Sequence, residues 1–98
     1  MPDQPADAPL TFITFVLSLA STAAIHFGDI PDPVTGGRSE VNLDGASQMI
    51  EILSLLDQKT RGNLSAEERQ ILEQVLYELR LRFVQATADA GGKRIIEP

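Results

Sequence analysis

Residues 10–27, LTFITFVLSLASTAAIHF, form a run of 18 residues without a charged side chain, and this run decides the fold. As one α-helix, 18 residues would extend over ~27 Å at ~1.5 Å per residue. Thr14, Ser18 and Thr22 are four residues apart, so their hydroxyl groups share one helix face. The other faces are apolar. We therefore expect a helix that other protein segments cover on more than one side.

Local signals predict two further helices. Asn42 is a suitable N-cap for an apolar-periodic segment, and Ser65 with Glu68 has the spacing of a capping box. The predicted helices are about 10–27, 43–61 and 66–88. The short link 62–64 predicts an antiparallel hairpin of the second and third helices. Glu78 and Arg82 have the spacing of a helical ion pair.

The length and the remaining segments complete this fold prediction. A chain of 98 residues is one domain, and residues 10–90 form its helical part. Residues 1–9 contain three prolines and predict a disordered lead-in, whereas residues 91–98 predict a flexible tail. The loop 29–41 is long enough to lie along a helix as a strap, held by Ile30 and Val34. The predicted class is all-α: a long apolar helix, an extended strap loop and an α-hairpin, a bundle completed by oligomerisation.

The composition of the chain excludes several kinds of site and function. The chain has no cysteine, which excludes disulfides and cysteine-based zinc sites. Its net charge of −6 argues against nucleic acid as a partner, because binding requires Lys and Arg opposite phosphates. We find no signature of a nucleophile, a general base or a phosphate loop. We therefore expect no enzymatic activity, no catalytic residue and no cofactor.

A membrane anchor is the first alternative for the apolar run. Its 18 residues approach the length of a transmembrane helix, but six of them are polar. Neither flank has a nearby Lys or Arg, and no Trp or Tyr marks an interface. A small membrane-associated subunit anchored by helix 10–27 therefore stays an alternative rather than the main prediction.

A ligand site around the single histidine is the second alternative. His26 precedes Asp29 and Asp32, and Thr35 and Glu40 add oxygen ligands in the same loop. One histidine without a second nitrogen or sulfur ligand is a poor set for a transition metal, and the spacing does not fit a calcium loop. We expect no metal site and retain a metal- or small-ligand-binding module near His26 only as this alternative.

Self-association is the main functional prediction. A two-helix hairpin covers one side of helix 10–27, so its other side requires a partner, and a homodimer or a dimer of dimers is the simplest solution. Another protein could bind the loop 29–41. The predicted oligomer interface consists of Phe12, Thr14, Phe15, Val16, Leu17, Ser18, Leu19, Ala20 and Ala23.

Several segments resemble one bacterial family. They are TFVLSLAS (14–21), HFGDIPDPVTG (26–36), LLDQKTRGNLS (55–65) and LYELRLRF (76–83). The chain between Thr11 and Phe83 resembles the uncharacterised family known as domain of unknown function 1844. The resemblance implies a small cytoplasmic bacterial protein and no catalytic residues. Gly45 and Ser47 depart from the good helix formers expected early in the second helix.

Overall fold

Three helices account for most of the chain. The computed structural model describes residues 10–37 and 40–95, with side chains up to residue 89. Within those ranges the helices are α1 (Phe12–Phe27), α2 (Leu43–Lys59) and α3 (Ala66–Ile95), and there is no strand. The predicted all-α class is confirmed. The predicted lead-in 1–9 and the last three residues of the predicted tail lie outside the described residues.

The helix ends follow local hydrogen bonding. α1 begins after Thr11, whose hydroxyl accepts from the backbone N–H of Thr14 at 3.0 Å, one half of a capping box. It ends at Gly28, which adopts the left-handed conformation with φ 81°. The Asn42 cap of α2 is confirmed, because its side chain accepts from the Gly45 N–H at 2.9 Å.

The capping box before α3 is also confirmed. The Glu68 N–H donates to the Ser65 hydroxyl at 3.1 Å, and the Ser65 N–H donates to the Glu68 carboxylate at 2.9 Å. The far end of α3 differs from the prediction, because the helix continues from residue 88 to Ile95. A glycine inside a helix costs about 1 kcal/mol relative to alanine. Unlike proline, glycine retains the backbone N–H that the helix requires, so Gly91 and Gly92 do not end α3.

One core joins the three helices. At one end Val16 packs with Leu53 and Leu72, and at the other end Ala23 and Phe27 pack with Ala46 and Met49. The order of these contacts makes α2 antiparallel to α1. Leu79 and Phe83 of α3 contact the second group, whereas Leu72 belongs to the first, so α3 is parallel to α1.

The two ends of the loop between α1 and α2 lie next to each other. The Asn42 N–H donates to the His26 carbonyl at 2.7 Å, and a turn closes from Asp32 to Gly37 with backbone bonds of 2.7 and 2.9 Å. Val34 is 89% exposed and Ile30 is also exposed. The expectation that Val34 holds the loop down is therefore wrong, whereas for Ile30, which is 38% exposed, it stays a prediction. Backbone hydrogen bonds and an ion pair between Asp29 and Arg82 of α3 hold the described part of the loop.

Candidate interaction surfaces

The predicted interface residues of α1 separate into three groups. Val16 and Ala23 are completely buried in the core of the single chain, so they have no surface to offer a partner. The exposed members are Thr14, Phe15, Leu17 and Ser18, and the half-buried members are Phe12, Leu19 and Ala20. We call the exposed side of this helix, centred on Thr14, Ser18 and Thr22, the α1 outer face. Periodicity alone could not show which apolar side of α1 the other helices cover.

The hydroxyl groups of the α1 outer face bond to their own helix. The Ser18 hydroxyl donates to the Phe15 carbonyl at 2.7 Å, and the Thr22 hydroxyl donates to the Ser18 carbonyl at 3.1 Å. The Thr14 hydroxyl donates to the Thr11 carbonyl at 3.0 Å. A partner that covers this face therefore leaves none of these three donors unsatisfied, which is the main cost of burying polar groups.

Apolar side chains border the hydroxyl row on both sides. Phe15 is 38% exposed and Leu17 is 46% exposed. Leu17 also lines a shallow groove between α1 and α3, together with Ile71 and Val75. The α1 outer face thus combines small side chains, which permit close approach, with larger apolar side chains at its edges.

His26 packs against the start of α2. A Cβ atom placed on Gly45 would lie 2.7 Å from the Nδ1 atom of His26 and 2.9 Å from the side-chain nitrogen of Asn42. Real Cβ contacts are longer than this, so the glycine permits the approach of the histidine ring. This close packing of α1 against α2 explains why residue 45 is glycine rather than a residue with a higher helix propensity.

Arg82 connects α3 to the end of α1 and to the loop. Its guanidinium donates two hydrogen bonds to the Asp29 carboxylate, at 2.8 and 2.9 Å, and lies 5.1 Å from the ring centre of Phe27. The hydrogen bonds to Asp29 raise the pKa of Arg82 above its ordinary value. The predicted pairing of Arg82 with Glu78 is wrong. Glu78 instead accepts from the side-chain amide of Gln74 at 2.6 Å.

The residues considered for a metal site serve structural contacts. Asp29 binds Arg82, and the Asp32 carboxylate accepts from the Val34 N–H at 2.8 Å within the turn. Among the residues that the structure describes, no three His, Asp or Glu side chains come together in a way that could hold a metal ion. The structure therefore brings His26 close to Gly45 rather than into a ligand cluster.

A second apolar surface lies on α3, and none of its residues is among the predicted interface residues. Tyr77, Leu81 and Val84 are 65%, 45% and 60% exposed, on the side of α3 opposite the core. Ala88 is also exposed. We call these four residues the α3 outer stripe. Their spacing of four, three and four residues is the signal that could have revealed it, but the stronger core stripe of the same helix dominated the periodicity.

None of the described helices has the length and hydropathy of a membrane span. The described residues thus define a class of protein: a three-helix domain with apolar side chains left exposed on its outer faces. The family described as Domain of unknown function (DUF1844) matches residues 9–85, and the chain belongs to this family. No curated protein and no solved structure matches the chain significantly.

Proposed function

We propose that this protein is a non-catalytic, homo-oligomeric helical scaffold or adaptor whose copies associate through the α1 outer face. One observation carries the proposal. In the described residues, eleven large hydrophobic side chains are exposed, whereas only nine hydrophobic residues form the buried core. Isolated exposed hydrophobic residues are ordinary, but contiguous ones mark interaction surfaces. A domain with so small a core also gains stability from association.

The α1 outer face is the best supported contact between copies. Its hydroxyl donors are satisfied within the helix, and its side chains are small, so two helices can approach closely. Phe15 and Leu17 supply apolar area on either side. A two-fold axis across this face would pair it with itself, which is the commonest arrangement of homo-oligomers.

The loop supplies a separate surface for the adaptor role. Ile30, Val34 and Val41 are exposed. Backbone hydrogen bonds between Asp32 and Gly37 and from Asn42 to His26, together with the Asp29–Arg82 pair, hold the described backbone near them. A second protein bound there would meet apolar side chains already in position. The proposal includes the bacterial cytoplasm as the location, which the family resemblance implies and cell fractionation would test.

The decisive experiment compares Leu17→Glu with Leu55→Glu by light scattering coupled to size exclusion. Leu17 and Leu55 are 46% and 54% exposed, so the two substitutions place the same charge at equally accessible positions. We expect Leu17→Glu to halve the molar mass of the wild-type oligomer, because a buried interfacial carboxylate lacks a partner. We expect Leu55→Glu, on the outer side of α2, to retain the wild-type mass.

Circular dichroism of both variants serves as the folding control. Each should retain the helical signal, since neither position belongs to the core of the single chain. A wild-type protein of monomeric mass would refute the proposal. An oligomer that survives Leu17→Glu unchanged would refute the assignment to the α1 outer face.

A further inference from the structure

The α3 outer stripe has the pattern of a coiled-coil seam. Tyr77, Leu81, Val84 and Ala88 occupy alternating d and a positions of a heptad, and they lie on the side of α3 that the other helices leave open. The corresponding positions upstream are Gln70 and Gln74, which are polar. The apolar part of the seam is therefore confined to 77–88, about 18 Å of helix at ~1.5 Å per residue.

We propose that the α3 outer stripe pairs with the same stripe of a second copy of this chain, with the two helices antiparallel. This inference shares with the proposed function the requirement for self-association, but it uses a different face of the molecule. Together the two faces give each copy two self-complementary contacts, which is the requirement for a dimer of dimers.

The apolar residues define the register of this pair. With the two-fold axis between residues 82 and 83, Leu81 lies opposite Val84 of the second copy, and Tyr77 lies opposite Ala88. Each layer then combines a large and a smaller side chain, as interdigitated packing requires. The polar residues Gln70 and Gln74 fall outside the central layers.

The flanking charges favour the antiparallel orientation. In a parallel pair, Glu73 of one copy would flank Glu78 of the other, which places two carboxylates together on each side of the seam. In the antiparallel register, Glu78 lies near Gln85 of the second copy and Arg80 lies near Thr87. No like charges meet. The helix dipoles of the two copies also oppose each other favourably.

The charge distribution along α3 supports the same orientation. Residues 66–73 of α3 contain three glutamates and one arginine. Parallel pairing would place the acidic starts of the two helices side by side, whereas antiparallel pairing separates them.

Single-cysteine variants of the full chain test this geometry, since the natural sequence has no cysteine. The Leu81→Cys protein and the Val84→Cys protein are given tags of different size. They are then oxidised separately and as an equimolar mixture. Antiparallel pairing brings residues 81 and 84 of different copies together, so disulfide-linked heterodimers should form several-fold faster than either homodimer. Leu55→Cys mixed with Val84→Cys is the matched control for random collision.

Each result of the crosslinking experiment leads to a different conclusion. Heterotypic crosslinks well above the Leu55→Cys control support the proposal. Predominantly homotypic crosslinks would indicate parallel helices and overturn it. Crosslinks no faster than the control would overturn it while leaving the α1 contact intact, provided that Leu17→Glu still halves the mass. A monomeric wild-type protein would overturn both proposals.

Discussion

Val16 and Leu17 are adjacent in α1 and lie on different sides of it. Val16 is fully buried between α2 and α3, whereas almost half of the Leu17 side chain is exposed. The inner side of α1 holds the single chain together, and none of the described residues covers its outer side. Successive residues of an α-helix point about 100° apart around its axis. The comparison therefore teaches that an apolar residue of α1 serves folding or association according to the side of the helix on which it lies.

The largest expected effect comes from a charge on the inner side. Val16→Glu buries a carboxylate among the apolar side chains of the described core, and such changes cost about 3–5 kcal/mol. That is a large share of the ~5–15 kcal/mol that stabilises a domain. We expect loss of cooperative urea unfolding and of most helical signal in circular dichroism. If Val16→Glu folds as well as Leu17→Glu, the two sides of α1 are not distinct.

An intermediate effect is expected where α1 meets α2. Gly45→Ala gains about 1 kcal/mol in helix propensity. Its new Cβ would nevertheless lie 2.7 Å from the His26 ring. Overpacking costs about 1–3 kcal/mol, so we expect net destabilisation of about 1 kcal/mol in urea unfolding at fixed protein concentration.

The double variant Gly45→Ala with His26→Ala is the control for this contact. Removal of the ring eliminates the clash with His26 and leaves only the 2.9 Å approach to the Asn42 side-chain nitrogen, so Gly45→Ala should be less destabilising on the His26→Ala background than in the wild type. The coupling between the two substitutions measures the close approach directly. A single Gly45→Ala variant more stable than the wild type would show that the ring moves aside without cost.

The smallest effect is expected on the outer side. The Ser18 hydroxyl bonds only to a carbonyl of its own helix, so Ser18→Ala removes no contact between helices. We expect a change in unfolding free energy within about 0.5 kcal/mol, in the stabilising direction because alanine favours helix. The measurement belongs on the Leu17→Glu background, where association through the α1 outer face does not contribute. A loss above about 1 kcal/mol would place Ser18 in a structural role.

Most of the local structure was predictable. The caps at Asn42 and Ser65 depend on hydrogen bonds between residues a few positions apart, and both are confirmed. The inner stripes of α2 and α3 follow from helical periodicity. The candidate surfaces were predicted less well. Two of the nine predicted interface residues lie in the core, and the α3 outer stripe was not recognised.

The sequence by itself determined where the helices start and which residues favour burial, because those properties depend on neighbours within one or two turns. Only the tertiary structure decided which side of α1 is covered, why residue 45 is glycine, and that Arg82 binds Asp29 rather than Glu78. These outcomes join residues that are far apart in the chain. They depend on how three helices pack against one another, which no local pattern encodes.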